Sequence, residues 1–317
     1  MSDRSRVMVK VFADLPVQVI QEVGRGAECI VFSALEPSSN QLVALKLVGS
    51  EVSQQATHDR SLIERTSNGI RRLRQEYQFL KSSAHPCLLT VHRVGESKVE
   101  HSHHFAWFTM ELCATTVSAL LPTAPLPRRT QWALQLLDGL SFVHVQRISH
   151  RDIKPANLLV PDRSSDHIKI GDFGVASDYE SLQKALREHP EQERTGTGYY
   201  MAPEVWMGPP RLWDERLFMG IDQYAAGISI FEILTRSLPN RLAEMQHADG
   251  VQGVHVNGVV DDRFQLRVPE RPTESFPRVE QVLRRMLALQ VERRYSSLSR
   301  CKLDLMCAMS HDGLLTA

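Results

Sequence analysis

Cysteine is scarce in this chain: there are five in 317 residues, at positions 29, 87, 113, 301 and 307. The number is odd and no pair has C-x-x-C spacing. Both facts argue against a disulfide framework or a zinc module and favour a reducing, cytosolic compartment. Charge of one sign is missing too. Lys plus Arg is 37 and Asp plus Glu is 37, so the basic excess of a general nucleic-acid or anionic-membrane binder is not there. Lysine itself is rare, 8 against 29 arginines, a skew that hints at a GC-rich, bacterial source. No run approaches the ~20 apolar residues of a spanning helix. The opening MSDRSRVMVKVFADLP has no apolar core followed by a small-residue cleavage site, as a secretory signal would. What is present is ordinary globular usage, 42% hydrophobic and 23% charged, over a length that fits one large domain or two lobes.

The first third reads as strands. VQVIQEV (17–23), CIVFSAL (29–35) and LVALKLV (42–48) are short β-branched runs between Gly, Pro, Ser and Asn clusters. Ile70, Leu73, Tyr77 and Leu80 recur at helical spacing and predict an amphipathic helix ending near His85-Pro86. LLTVHRV (88–94) and FAWFTMEL (105–112) read as two further strands joined by a turn through SKVEHSHH. From about residue 117 the pattern turns helical: Trp132, Leu136, Leu140 and Val143 share a stripe. DQYAAGISIFEILT (222–235) is apolar almost all round, as a buried helix should be, and VEQVLRRMLAL (279–289) is amphipathic. Residues 236–277 read mostly as loop. The expectation is α+β, a β-rich lobe followed by an α-rich one.

Three segments carry the chemistry: HRDIKPANLL (150–159), IKIGDFG (168–174) and GTGYYMAPE (196–204). With GRGAECIVF (24–32), VALK (43–46) and FTMELC (108–113) before them, in this order, they resemble the motif set of eukaryotic-type (Hanks-type) Ser/Thr protein kinases from about Val17 to Arg300. The resemblance implies the two-lobed protein-kinase fold: a small antiparallel N-lobe with one main helix (~1–110), a hinge (~111–116) and a larger, mostly helical C-lobe (~117–310), in a single domain over 1–317. It implies ATP in the cleft, Mg²⁺ with Mn²⁺ as the alternative metal, and a protein substrate.

Phosphoryl transfer needs a phosphate cradle, a divalent metal and an oriented hydroxyl. By the resemblance, Asp152 orients or accepts the hydroxyl proton and Lys154 steadies the γ-phosphate. Asn157 and Asp172 supply the hard oxygens that suit Mg²⁺. Lysine at 154 marks the Ser/Thr rather than the tyrosine branch. Gly24 and Gly26 match the phosphate loop, whose third glycine is replaced by Cys29. Val31, Ala44 and Leu159 match the adenine sandwich, and the Glu111 carbonyl and Cys113 N–H match the backbone pair to adenine, with Met110 as gatekeeper or plain core. Lys46 matches the α/β-phosphate lysine. Its partner is Glu76 or Glu64, and the distance from 76 to His85-Pro86 selects Glu76. The interval from 46 to 76 is long, so residues ~50–65 look like an insertion or extra helical turn. Leu80, Val91, His150 and Phe173 match the family's stacked apolar column, Glu204 should pair with Arg294, and Asp222 should hold the catalytic-loop backbone. After Asp222 the family usually has Trp-Ser; here it is Tyr224-Ala225.

In the activation segment, 172–204, Leu182 and Leu186 suggest a short helix over 179–189. Thr195 is the expected phosphate acceptor, docking on Arg151, with Glu191 or Glu193 as the acidic alternative to a phosphate. Thr197 should bond Asp152 and Lys154. Ala156, where relatives that prefer basic peptides often carry an acid, predicts no strong Arg requirement through that position. His101, His103 and His104 read as a solvated turn rather than a metal site. Cys29 reads as a plain small residue, and Cys301 and Cys307 as packed. The rival readings are a pseudokinase scaffold, against which Lys46, Asp152, Asn157 and Asp172 all stand, and a small-molecule kinase, against which GTGYYMAPE stands. A second copy of the chain is the expected partner for autophosphorylation in trans, with no nucleic acid and no membrane segment.

Overall fold

The computed structural model describes residues 11–26, 29–49, 60–99, 103–181, 196–207, 215–245 and 248–315. The chain divides into two compact units, Met1–Ala84 with Leu88–Cys113, and His85–Cys87 with Ala114–Ala317.

The first unit is built on an antiparallel sheet of β1 (Gln18–Arg25), β2 (Cys29–Glu36), β3 (Gln41–Gly49), β4 (Val91–Val99) and β5 (His103–Glu111) in the order β1-β2-β3-β5-β4. Side chains alternate across a strand. Ile30, Phe32, Ala34, Val43, Leu45, Leu47, Phe105 and Trp107 therefore fall on one face and form a buried cluster. The register Val31↔Lys46↔Phe108 and Ala44↔Met110 puts the intervening residues on the other face. The helix α1 (Arg60–Ser82) packs against β3, β4 and β5. It starts earlier than its apolar stripe suggests, so part of the expected insertion is an extra stretch of this helix. It also ends before His85, because the chain must leave helical geometry ahead of Pro86. The β4–β5 hairpin extends further than expected: Lys98↔His104 and Val99↔His103 are paired. His104 is thus a strand residue, its Nε2 2.9 Å from Glu96, rather than part of an open turn. His101 lies outside the described residues.

The second unit centres on α3 (Leu126–Val145) and α5 (Glu215–Thr235), after the short β6 (Thr115–Thr116) and α2 (Val117–Leu120). The catalytic-motif segments form β7 (Ile148–Ser149), β8 (Leu158–Val160), β9 (Lys169–Ile170) and β10 (Ser177–Asp178). α4 (Pro203–Trp206), α6 (Asn240–Ala243), α7 (Ala248–Asn257), α8 (Pro277–Met286) and α9 (Leu298–His311) complete it. The expectation of mostly loop over 236–277 holds for the larger part of that stretch, which α6 and α7 interrupt. α7 has few polar breaks, but its buried face, with Val251 and Val254, is too short to show a clear period. α5 is long and apolar enough to cross a membrane by length and composition, yet 83% of that stretch is buried inside the unit. Gly139 of α3 is required by close approach: a Cβ there would lie 2.7 Å from Ile170 Cδ1 and 3.0 Å from Cys87 Cβ. Its absence lets Cys87 and Ile170 lie on the helix, joined by the Ile170 N–H to Cys87 carbonyl bond of 2.7 Å. Cys301 is buried as expected, whereas Cys307 is exposed on the outer face of α9. The 179–189 helix and Thr195 fall, wholly or for the most part, outside the described residues.

Candidate active site

In the first unit, Glu76 sits on the same stripe of α1 as buried Leu73 and Leu80. A carboxylate on a core stripe needs a counter-charge. Lys46 supplies it, its Nζ donating to both carboxylate oxygens at 2.7 and 3.0 Å. The two residues are only 6% and 3% exposed. Glu64 lies in α1 as well, but its side chain is outside the described residues. Val31, Ala44 and Lys46 share one sheet face, a consequence of the two-residue strand period. Met110, buried at 7%, pairs with Val91 and Ala44 across the strands. The Glu111 N–H donates to the Thr90 carbonyl at 2.9 Å, and its Oε1 accepts from the Thr90 N–H at 2.6 Å. In the glycine turn, Gly26 N–H donates to the Cys29 carbonyl at 2.9 Å. A Cβ at 26 would press on Cys29 Sγ at 3.2 Å, while one at 24 would meet only ordinary contact with Val31.

In the second unit, the anchor is Asp222 of α5. Its fully buried carboxylate accepts the N–H groups of His150 (2.7 Å) and Arg151 (2.8 Å) and lies 2.9 Å from His144 Nε2. Burial alone would raise this carboxyl. The bonds from His144 and Arg151 and the nearby imidazoles outweigh it, and the group is held below its ordinary range. Arg151 is thereby held in the left-handed region, φ 68°, a strain that pinned backbone donors can sustain. His150 reaches on to the Gly171 carbonyl through Nε2 (2.9 Å) and packs on Phe173, ring centroids 4.5 Å apart. Gly171 N–H donates to the Asn157 carbonyl at 3.0 Å, which places Asp172, itself left-handed at φ 60°, beside Asn157.

Asp152 is the focus of this network. Its Oδ2 accepts from Lys154 Nζ (2.8 Å) and Asn157 Nδ2 (2.9 Å). Its Oδ1 accepts from the backbone N–H (2.9 Å) and hydroxyl (2.8 Å) of Thr197. Lys154 Nζ also donates to Thr197 Oγ1 at 2.5 Å, and Asn157 Nδ2 to the Asp152 carbonyl at 2.7 Å. The carboxylate is thus fixed in orientation, as a group that must meet a hydroxyl needs to be. Asn157 and Asp172 offer hard oxygens on adjoining segments. That is the donor set of a cation that completes its shell with phosphate and water rather than with an all-protein cage. Leu159 follows on β8. Glu204 and Arg294 form a buried two-pronged pair, Nη1–Oε1 2.7 Å and Nη2–Oε2 2.8 Å.

Several polar groups around this network escape the motif reading. His144 lies six residues before His150. Glu232 sits in the most apolar helix and accepts the Tyr200 hydroxyl at 2.5 Å; burial raises its carboxyl. His255 lies on α7. The signal for Glu232 was present, a lone carboxylate in an otherwise apolar helix; His255 had none. Cys87 is an inert thiol, pushed up to about 11 by burial.

The Protein kinase domain family matches residues 17–306 of the chain. Among curated proteins, the chain is 29% identical over 250 residues to serine/threonine-protein kinase TAO3 of Xenopus laevis, covering 75% of this chain and 24% of that protein. It is 28% identical over 287 residues to serine/threonine-protein kinase TAO2 of Homo sapiens (84% and 20%). It is 30% identical over 217 residues to mitogen-activated protein kinase mpkC of Aspergillus clavatus (68% and 49%). The chain spans about a quarter of the length of the first of these relatives. With a match over nearly its whole length, a β-sheet unit carrying a lysine–glutamate pair and a helical unit carrying an oriented aspartate, the chain belongs to the protein kinase family, whose members use ATP and a divalent metal.

Proposed function

We propose that this chain is a serine/threonine protein kinase that transfers the γ-phosphate of ATP to protein hydroxyls, with Asp152 as the catalytic base. The observation that carries the reading is the fixed Asp152 carboxylate, held by Lys154, Asn157 and Thr197. The acceptor oxygen attacks the γ-phosphorus, its proton passes to Asp152, and the bond from the γ-phosphorus to the bridging oxygen breaks to release ADP. Lys154 meets the charge on the transferring group. Lys46, held by Glu76, meets the α/β-phosphates, and Gly24 and Gly26 bring backbone N–H groups to them. Val31, Ala44 and Leu159 enclose the adenine, which pairs with backbone groups of Glu111 and Cys113. Asn157 and Asp172 hold Mg²⁺, with Mn²⁺ the second choice; when bound, the metal neutralises phosphate charge. Supporting the protein-kinase reading are the relatives' own designations as serine/threonine kinases. We further propose a cytoplasmic location, no nucleic-acid partner, and a second copy of the chain that phosphorylates Thr195 in trans to dock on Arg151.

The test is transfer from γ-radiolabelled ATP with Mg²⁺ to a generic protein, to small alcohols and to aminoglycosides, alongside calorimetry of Mg-ATP binding. Label on protein serine or threonine is expected. Label on a small molecule alone, or no nucleotide binding at all, would overturn the reading in favour of a small-molecule kinase or a scaffold respectively.

A further inference from the structure

α7 carries His255 into a site with no solvent exposure. A buried imidazole needs a partner for each ring nitrogen. Nδ1 has one, the hydroxyl of Tyr224 at 2.9 Å, and the two rings meet edge-on, centroids 5.6 Å apart. Nε2 is buried and makes no hydrogen bond of ordinary length and angle among the described residues. Against the ring lie the backbones of Gly198 and Tyr199, the first two residues of the turn Gly198–Tyr200.

The place of that turn matters. It follows directly on Thr197, whose N–H and hydroxyl bond Asp152. Any chain that presents a hydroxyl to Asp152 must run past it. Tyr224 also bears on the far end of the same segment: its ring carries Arg294 at 5.0 Å, and Arg294 is bonded to Glu204. One phenol therefore supports residues 198–204 at both ends, through His255 at one and the Arg294–Glu204 pair at the other.

The proton can be placed. Burial keeps the imidazole neutral, its pKa down at about 4 although the neighbouring backbone favours the charged form, and burial keeps the phenol protonated. A protonated phenol whose one hydrogen-bond partner among the described residues is a neutral ring nitrogen donates to it, so Nδ1 accepts and Nε2 carries the hydrogen. The Nε2–H interacts with the backbones of Gly198 and Tyr199 yet completes no hydrogen bond of ordinary geometry with either, and so loose a buried contact costs free energy until it tightens.

We infer that His255 is a positioning residue for the acceptor polypeptide: its Nε2–H is the donor that takes a backbone carbonyl of Gly198 or Tyr199 when the acceptor chain settles on the turn. This rests on the protein-kinase reading and adds to it the group that locks the acceptor platform from beneath. The other charged groups at this support are Arg294 and Glu204, already paired with each other, and Glu232, which accepts the Tyr200 hydroxyl.

Two substitutions separate positioning from mere packing. His255→Asn keeps a polar atom near Nδ1 and removes the Nε2 donor; His255→Gln places an amide N–H near Nε2. With a protein or peptide substrate, His255→Asn should raise the KM for that substrate about tenfold with the KM for ATP within about twofold of the unmutated chain, and His255→Gln should recover most of the loss. Hydrogen exchange of the Gly198–Tyr200 amides, which needs no activity, should quicken in His255→Asn and return in His255→Gln. Equal effects of the two variants on KM and exchange, or a fall confined to melting temperature, would overturn the proposal. Absence of transfer by the unmutated chain would overturn the kinase reading instead, and would leave the His255 contact to be decided by exchange.

Discussion

The two units hold their reactive charges in opposite ways. In the β-rich unit, Lys46 is ion-paired with Glu76, and the pair is screened from water by a sheet face and a helix. In the helical unit, the Asp152 carboxylate is shared among Lys154, Asn157 and Thr197, and its loop is suspended from Asp222. A buried pair derives its geometry from mutual need: neither member can be left without the other. A network derives it from redundancy, so that one lost bond loosens orientation without exposing an uncompensated buried charge. The pair suits a lysine that must stay extended at a fixed height on a strand. The network suits a carboxylate whose direction matters more than its burial.

Two substitutions would break this comparison if it is wrong. The largest effect expected is on rate. Asp152→Asn keeps the volume and removes the proton acceptor, and should lower turnover by ~10²–10⁴. Nucleotide affinity should move little, because the group faces the acceptor. Melting temperature should also change modestly, since Lys154 and Thr197 still bond each other. A loss of less than about tenfold in turnover would remove Asp152 from its role. Next in size is Lys46→Met. It removes the ammonium that compensates the buried Glu76 carboxylate and should destabilise the fold by about 3–5 kcal/mol, read by urea denaturation. The double variant Lys46→Met, Glu76→Leu should recover much of that stability while remaining inactive. If the single variant were as stable as the unmutated chain, the buried-pair description of this unit would fail.

How far the sequence carries these contacts differs between the units for a physical reason. Asp152, Asn157, Thr197, Asp222 and the Glu204–Arg294 pair lie at fixed spacings within motifs, so their proximity follows from the resemblance. Glu76 is legible from its distance to His85-Pro86 and from its position on the Leu73–Leu80 stripe. The start of α1 at Arg60 is not, because its first turns carry no apolar stripe. The β4–β5 hairpin runs on through polar residues that sequence reads as a turn, since strand pairing there is set by backbone register and not by alternation. His255 is the furthest from view. Its segment has the composition of a loop, and its partner Tyr224 is 31 residues away on a helix read only as apolar.

The smallest effect expected is a window of pH, and it sharpens the contrast because it belongs to the helical unit's buried imidazole. Burial pushes His255 from 6.5 down to about 4 in the folded chain. Between those values the unfolded chain holds a proton that the folded chain refuses, so stability rises with pH there. The His255 contribution is complete above about 6.5 and is lost as pH falls toward 4, a total on the order of 3 kcal/mol. Asp222 has the same sign in a lower window. Its carboxyl is depressed below 3.8, so its contribution is complete above that value and is lost as pH falls through the folded-state pKa. Urea unfolding of the unmutated chain and of His255→Gln, stepped from about pH 7.5 to pH 4, isolates the first window, since all other groups cancel in the difference. The difference should be level down to pH 6.5 and then fall with a slope approaching one proton. A difference that stayed level to pH 4 would mean that His255 takes up its proton as readily folded as unfolded, which a ring closed between Tyr224 and the Gly198–Tyr199 backbone could not do.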